Sequence, residues 1–313
     1  MKQFLKHIML FIPFAIFVYL VFIITFGELF PQWLKPNVNY RIGSYGHLYS
    51  RLNEISKFKN VDILFLGSSH AYRGFDTRIF KKAGYKCFNL GSSSQTPLQT
   101  EVLLERYLDS LNPKLIIFEV SPMMFSSDGV ESSLDLIAND KKDLLVITKL
   151  IRWNNIKTIN TAIIGFWRSI IGKDKNFVEK RIKGDDCYIS GGFVEKKLKT
   201  YTPAFIKKQE IKVKDIQLKA FEQCLKIIHS KHIKLILVQA PITKTLYSSY
   251  TNPIYFDTLM SKYAKYYNFN DSNLINLIDS VHFFDSHHLN QLGVNIFDNK
   301  IIGLLKSENI LNK

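Results

Sequence analysis

The sequence predicts an α/β fold: a three-layer sandwich around a mostly parallel central sheet, with one N-terminal transmembrane helix and an inserted helical cap. Three observations predict it. Short apolar runs ending in polar turns recur at intervals of about 25 residues with helical patterns between them, as right-handed crossovers between parallel strands require. A nineteen-residue stretch, Ile8 to Phe26, carries no charge. A Lys-rich stretch from about Met123 to Val213 breaks the strand–helix rhythm, which then resumes.

The uncharged stretch is long enough to cross a bilayer as a helix. Lys2, Lys6 and His7 precede it, so the positive-inside tendency keeps the N-terminus in the cytoplasm and places the chain beyond Gly27 on the other side. A cleaved signal peptide is the competing reading, but the stretch exceeds the usual apolar length and Gly27-Glu28-Leu29-Phe30 offers no small-x-small cleavage site. A buried core helix would need a polar face, and this segment is apolar all round. Residues 1–36 are therefore expected to be a cytoplasmic tip and anchor, and 37–313 an extracytoplasmic domain with 123–213 inserted as a cap.

Val61 to Gly67 (VDILFLG) reads as a buried strand running into Gly-Ser-Ser, and Tyr85 to Leu90 as a second running into Gly91-Ser-Ser-Ser. A helix over Gln99 to Leu111 then leads through Pro113 to a third strand, Lys114 to Val120. Beyond the insertion, a helix over Asp215 to His229 precedes a strand at Ile233 to Pro241. Leu274 to Asp279 is the last strand candidate, and a final helix runs from about Val294 to Leu305.

A formal charge of +15 suits anionic partners such as lipid head groups or acidic surface polymers. The cations are scattered rather than gathered into an arm, and no nucleic-acid-binding module is recognised, so nucleic acid is not an expected partner. Cys87, Cys187 and Cys224 are too few and too distant for a disulfide framework, and no Cys/His spacing resembles a zinc site; Cys87 and Cys224 are expected in the core.

Ligands of doubly wound sheets bind beyond the carboxyl ends of the strands, which directs attention to Gly67–His70, Gly91–Thr96, Val120–Pro122, Ala240–Thr243 and Asp285–His288. A serine at a strand-to-helix turn can project its hydroxyl from the sheet beside backbone N–H groups that would hold an oxyanion. Alone, Gly-Ser-Ser reads sooner as a helix N-cap. Asp285 and His288, three apart, can supply an imidazole base and the carboxylate that orients it; alternatively Asp285 caps the final helix and the histidines are ordinary surface residues. His70 and His287, each beside a proposed site residue, could line the pocket or exchange roles with their neighbours.

Together, the Ser turn and the late Asp-x-x-His pair resemble the SGNH (GDSL-like) hydrolase family, over roughly Val61 to Pro122 and Ile233 to Leu305. The resemblance implies an SGNH/flavodoxin-like sandwich, Ser69 as nucleophile, Asp285 and His288 as its triad partners, and Gly91 N–H as an oxyanion donor beside the N–H of Ser69. Ser68 stands where the family has Asp and is the reserve nucleophile. Ser121 stands where the oxyanion-binding Asn is expected, and the family's Gly and Asp are absent around it. The anchor, the Gly-Ser-Ser turn and the insertion resemble the branch containing the D-alanyl transfer protein of teichoic acid synthesis and alginate O-acetylation proteins.

The resemblance implies a cell-membrane serine esterase or O-acyltransferase acting on acyl groups, with acetyl favoured, of a cell-surface glycan through an acyl-serine. No cofactor is implied. A membrane-bound acyl-transfer partner is expected, because soluble coenzyme A thioesters are out of reach outside the cytoplasm. The alternative is a noncatalytic scaffold that binds or helps assemble a surface polymer.

Overall fold

The computed structural model describes residues 1–311. The chain divides into two compact units, one formed by Met1–Ile42 with Ser133–Val178, the other by Gly43–Ser132 with the chain from Glu179 onward. The segment 123–213 is thus shared between them.

In the first unit, Lys2–Leu29 is a single helix, long and apolar enough to cross a membrane, with a mean hydropathy of 2.8 over its best window. The helices Leu144–Trp153 and Ile156–Ile170 belong to the same unit. Ile23 and Val38 form a small apolar cluster with Ile164.

In the second unit, β1 (Ile63–Leu66), β2 (Cys87–Asn89) and β3 (Leu115–Glu119) arise from the three apolar runs of the first half. Three shorter strands come next within the insertion, β4 (Ile182–Lys183), β5 (Asp186–Ile189) and β6 (Phe193–Lys196), and then β7 (Lys234–Gln239) and β8 (Lys265–Asn268). The main sheet has the order β2-β1-β3-β7-β8, all parallel. The chain winds one way from β1 to β2 and the other way from β3 onward, so the gap between β1 and β3 is the topological switch point.

Strand side chains alternate between the two faces of the sheet, and both faces are covered. Ile63, Phe65, Ile117 and Val238 share one core with Phe80 of the helix Thr77–Lys82 and Phe297 and Ile301 of the helix Gln291–Ser307. On the opposite face Phe118 meets Phe221 of the helix Asp215–Ser230, ring centroids 5.4 Å apart. The helix Pro97–Leu111 begins at a Thr96–Gln99 capping box, and the Cys224 thiol contacts its Pro97 carbonyl. Cys87 and Cys224 are buried, as expected.

Two features depart from the sequence reading. Leu274 to Asp279 is not a strand. β8, whose residues are Lys265-Tyr-Tyr-Asn268, pairs with β7 and occupies that edge, while Leu277 is buried and Leu274 and Ile275 pack on the core from a loop. The insertion is also not wholly helical, because β4, β5 and β6 form an antiparallel sheet. The signal was present: apolar and β-branched runs flank Ser190-Gly191-Gly192, a three-residue hairpin loop.

That loop docks on β2. Gly191 O accepts the N–H of Asn89 at 2.7 Å, and Glu54 accepts hydrogen bonds from Tyr188, Ser190 and the Gly191 N–H. Gly192 has φ +97°, and a Cβ there would stand 2.2 Å from Asn89 O. Gly192→Ala is therefore expected to cost about 2 kcal/mol or more, against about 1 kcal/mol for Gly184→Ala, whose φ is also positive but which has open space around it. Urea midpoints of the two variants measure the difference.

Candidate active site

β1 ends at Leu66, and the chain turns through Gly67 and Ser68 into the short helix Ser69–Gly74. The turn needs glycine: Gly67 has φ +140°, and a Cβ there would lie 2.7 Å from both Cβ and Oε2 of Glu119. Glu119, at the end of β3, is fully buried. Its Oε2 accepts the Ser68 N–H and the Ser68 hydroxyl, both at 3.1 Å. Ser68 Oγ in turn accepts the N–H of His70 as the N-cap of the helix. The N-cap reading of Gly-Ser-Ser therefore holds for Ser68. Ser68 caps the helix and is tied to Glu119, which leaves Ser69 to project.

The second half of the site is a loop closed on itself. Phe283 and Leu289 form an antiparallel bridge, and the N–H of Phe284 donates to the carbonyl of His288 at 3.1 Å. Inside it, Asp285 Oδ1 accepts the backbone N–H groups of His287 (2.9 Å) and His288 (2.8 Å). Asp285 Oδ2 faces His288 Nδ1 at 2.8 Å. The cap of the final helix is Asn290, whose Oδ1 accepts from Leu292 and Gly293, so Asp285 is free of that task.

His288 Nε2 lies 2.7 Å from Ser69 Oγ. A carboxylate only accepts, so Nδ1 carries the proton and Nε2 presents its lone pair to the serine hydroxyl. Residues 219 positions apart in sequence thus form a continuous Asp–His–Ser relay at the carboxyl ends of the strands.

Phe284 stacks on the His288 ring at 5.2 Å with an interplanar angle of 8°. Arg73 and Lys196 stand over the same phenyl ring, 5.7 and 5.1 Å from its centroid, and Arg73 pairs with both oxygens of Asp186. The meander β4–β6 therefore contributes Asp186 and Lys196 to holding the imidazole in its plane. Sequence reasoning missed Phe284, Arg73, Asp186 and Glu119. Only Phe284, adjacent to Asp285, and Glu119, at the end of an apolar run, carried a local signal.

The other expected site residues are placed differently. The Gly91 N–H, expected as an oxyanion donor, is taken by Asn89 Oδ1 at 3.1 Å. Gly91 permits a close approach instead, since a Cβ there would meet the Ser68 carbonyl at 2.9 Å and Ala71 Cβ at 3.0 Å. Ser121 caps the helix Pro122–Ser126 by accepting the N–H of Met123 at 3.2 Å, and its hydroxyl proton remains available to the cleft. His70 is buried, with Nδ1 3.3 Å from Ser68 Oγ and 3.5 Å from Glu119 Oε1; it does not pair with Ser69. His287 packs against His288 at 4.0 Å between centroids.

Ser69, Ser94, Ser121, Met123, Ser127 and His287 line a cleft of about 220 Å³, large enough for a small acyl group. Asp285, His287 and His288 bring one donor atom each within 4.8 Å of one another. Both nitrogens of His288 are already engaged, by Asp285 and Ser69, so a metal would have to dismantle the relay. The donor set fits proton transfer better than metal binding.

Burial pushes the His288 imidazole down to about 3; the hydrogen bond to Asp285 opposes this, and the neighbouring imidazoles of His287 and His70 add to it. Burial likewise brings His287 down to about 4, with His70 reinforcing it. Burial alone would raise the Asp285 carboxyl, but its hydrogen bond and charge interaction with His288 hold it well below the usual range.

Both histidines bind protons less readily in the folded chain than in the unfolded one, so lowering the pH favours unfolding. Stability is expected to be full above pH 6.5 and to decline between about pH 6.5 and 4, read as a falling urea midpoint. An ester-cleaving activity that uses His288 as base should keep its kcat/KM well below pH 6.5, because the free site stays deprotonated there.

No protein-family model matches the chain, and no curated protein matches it in sequence. Among solved structures, the chain is similar to a proposed acylhydrolase from Bacteroides fragilis, with 12% identity and a TM-score of 0.43 over 86% of this chain and 99% of that one. It is also similar to a GDSL-like lipase from Bacteroides thetaiotaomicron, with 10% identity and a TM-score of 0.42 over 84% and 98% of the two chains.

Proposed function

We propose that the chain is a membrane-anchored serine esterase or O-acyltransferase of the SGNH type, with Ser69, His288 and Asp285 as nucleophile, base and orienting carboxylate. The observation that carries this reading is the relay itself, with contacts of 2.7 and 2.8 Å in line from Ser69 to Asp285.

In the first step Ser69 Oγ attacks the carbonyl carbon of an acyl ester while its proton passes to His288 Nε2, and Asp285 stabilises the imidazolium. The developing oxyanion would be met by the Ser69 N–H, which as the first residue of its helix has no intrahelical acceptor, and by the Ser121 hydroxyl. Gly91 N–H would join them by exchanging Asn89 Oδ1 for the oxyanion. Collapse of the tetrahedral species returns the proton from His288 to the departing alcohol oxygen and leaves acyl-Ser69. A water or a sugar hydroxyl, deprotonated by His288, then takes the acyl group and restores the serine.

The substrate class we favour is acyl groups, acetyl first, on an anionic or neutral glycan at the cell surface. The span with Lys2 and Lys6 before it supports an extracytoplasmic domain, and a charge of +15 suits an acidic polymer. Transfer, as opposed to hydrolysis, calls for a membrane-bound partner that delivers the acyl group. One observation favours a second reading, a noncatalytic polymer-binding scaffold: the Gly91 amide is occupied and Ser121 acts as a cap, so the oxyanion donors are fewer than the Ser–His–Asp geometry alone would suggest.

Full-length protein in detergent, mixed with p-nitrophenyl acetate, is expected to release a burst of nitrophenol and to gain one acetyl group by intact mass. Ser69→Ala should abolish both, and Asp285→Asn should slow the burst by at least about 100-fold. Wild type that neither releases nitrophenol nor gains mass, even with its membrane fraction present, would favour the scaffold.

A further inference from the structure

An ester has two sides, and the cleft at Ser69 has room for one of them. Its volume of about 220 Å³ suits a small acyl group, whereas pockets that take a whole small molecule run to about 300–1,000 Å³. A larger pocket, of about 360 Å³, opens at the same edge of the sheet, beyond the ends of β7 and β8. Ile242, which follows β7, and Asn270, which follows β8, both line it. Thr243 ties it to the relay by donating its N–H (3.1 Å) and its hydroxyl (2.7 Å) to the carbonyl of Ser286, in the loop that carries Asp285 and His288. In the sheet order β7 and β8 stand two and three strands from β1, about 10 and 14 Å at about 4.8 Å per strand. The pocket therefore meets a different part of a substrate from the part at Ser69.

The frame of the pocket is fixed by Asn270, whose Oδ1 accepts the Ile242 N–H at 2.9 Å and whose Nδ2 donates to the Ala240 carbonyl and to Asn268 Oδ1. On that frame stand donors that the protein itself uses only in part. Lys244 Nζ donates to Asn276 Oδ1 at 3.0 Å, and Lys208 Nζ, 2.6 Å from the Ser248 carbonyl, brings a second ammonium to the rim. An ammonium has three donors, so two on each lysine stay available. The Tyr247 hydroxyl accepts from Asn268 Nδ2 at 3.0 Å and keeps its own proton. The hydroxyls of Ser248 and Ser272 stand exposed beside it. The carboxylates at the margin are turned to the backbone: Asp279 accepts the N–H groups of Lys244 and Thr245, and Asp271 that of Asn273.

Two cations and three hydroxyls around one apolar wall suit a sugar that carries an acid. We infer that this pocket is a second subsite, for an anionic sugar unit: its carboxylate or phosphate lies on Lys244 and Lys208, and its hydroxyls on Tyr247, Ser248 and Ser272. As a subsite of the reaction it rests on the reading of Ser69 as nucleophile. The unit bound there is a neighbour, along one glycan chain, of the unit whose ester lies at Ser69. Binding so far from the reacting atoms serves to align the ester with the relay.

The test is isothermal titration calorimetry of the full-length protein in detergent, with galactose, galacturonate and galactose 6-phosphate as probes, none of them an ester of an acyl group. Galacturonate or galactose 6-phosphate is expected to bind at least tenfold more tightly than galactose, and the tighter of the two names the anionic group. The double variant Lys208→Gln/Lys244→Gln should lose that preference, and Lys208→Arg/Lys244→Arg should keep it. Both side chains are exposed, and an unchanged urea midpoint checks that the fold is kept. Equal affinity for the three sugars, binding of none, or a preference that survives the glutamine variant would overturn the inference. Anion preference in a protein that forms no acyl-Ser69 with p-nitrophenyl acetate would leave the pocket and remove its part in an esterase reaction. Acyl-Ser69 without anion preference would leave the nucleophile and remove the subsite.

Discussion

A buried carboxylate at the end of β3 organises the sheet edge on which the site is built. Glu119 has no access to solvent, so its oxygens must find donors within the protein, and Oε2 finds them in the N–H and hydroxyl of Ser68. That demand draws the turn after β1 down onto β3, and only glycine at 67 leaves room for it. With Ser68 turned inward, the next residue must face outward at the start of a helix. Ser69 thus owes its exposure to a contact in which it takes no part.

The opposite wall obeys a similar rule. The loop from Phe284 to His288 is short enough that one aspartate satisfies two of its backbone N–H groups and still reaches the imidazole. The ring is then clamped in its plane by Phe284, which is pressed by Arg73 and Lys196. Three imidazoles, His70, His287 and His288, crowd within 5.6 Å of one another, and burial first, then this crowding, favours the neutral forms of His287 and His288. The neutral His288 ring thus presents its Nε2 lone pair to Ser69 while Asp285 holds the opposite nitrogen.

The sequence carried the sheet well because buried parallel strands leave uninterrupted apolar runs, as at Ile63–Leu66 and Leu115–Glu119. It misled at the far edge: Leu274–Asp279 is apolar because its residues plug the core from a loop, while the true edge strand, Lys265–Asn268, is half polar. Ser69, Asp285 and His288 were legible because they sit at strand ends and in a short chain segment. The tie that turns Ser68 inward was not, since it depends on Glu119 51 residues away, nor was the occupation of the Gly91 amide by Asn89, which needs the third dimension. The brace on His288 lay further out of reach, because Asp186 comes from a meander within a stretch whose composition suggested helices.

The distance along the chain between Ser69 and His288 has a consequence in time. Synthesis at about 5–20 residues per second separates the two by roughly 10 to 45 seconds, and neither half of the relay has any local substitute for the other. For that interval the nascent polypeptide carries Ser69 without its imidazole partner. Its hydroxyl meets the imidazole only when the last segment folds back across the sheet, so the arrangement of the three side chains is among the last features of the fold to form.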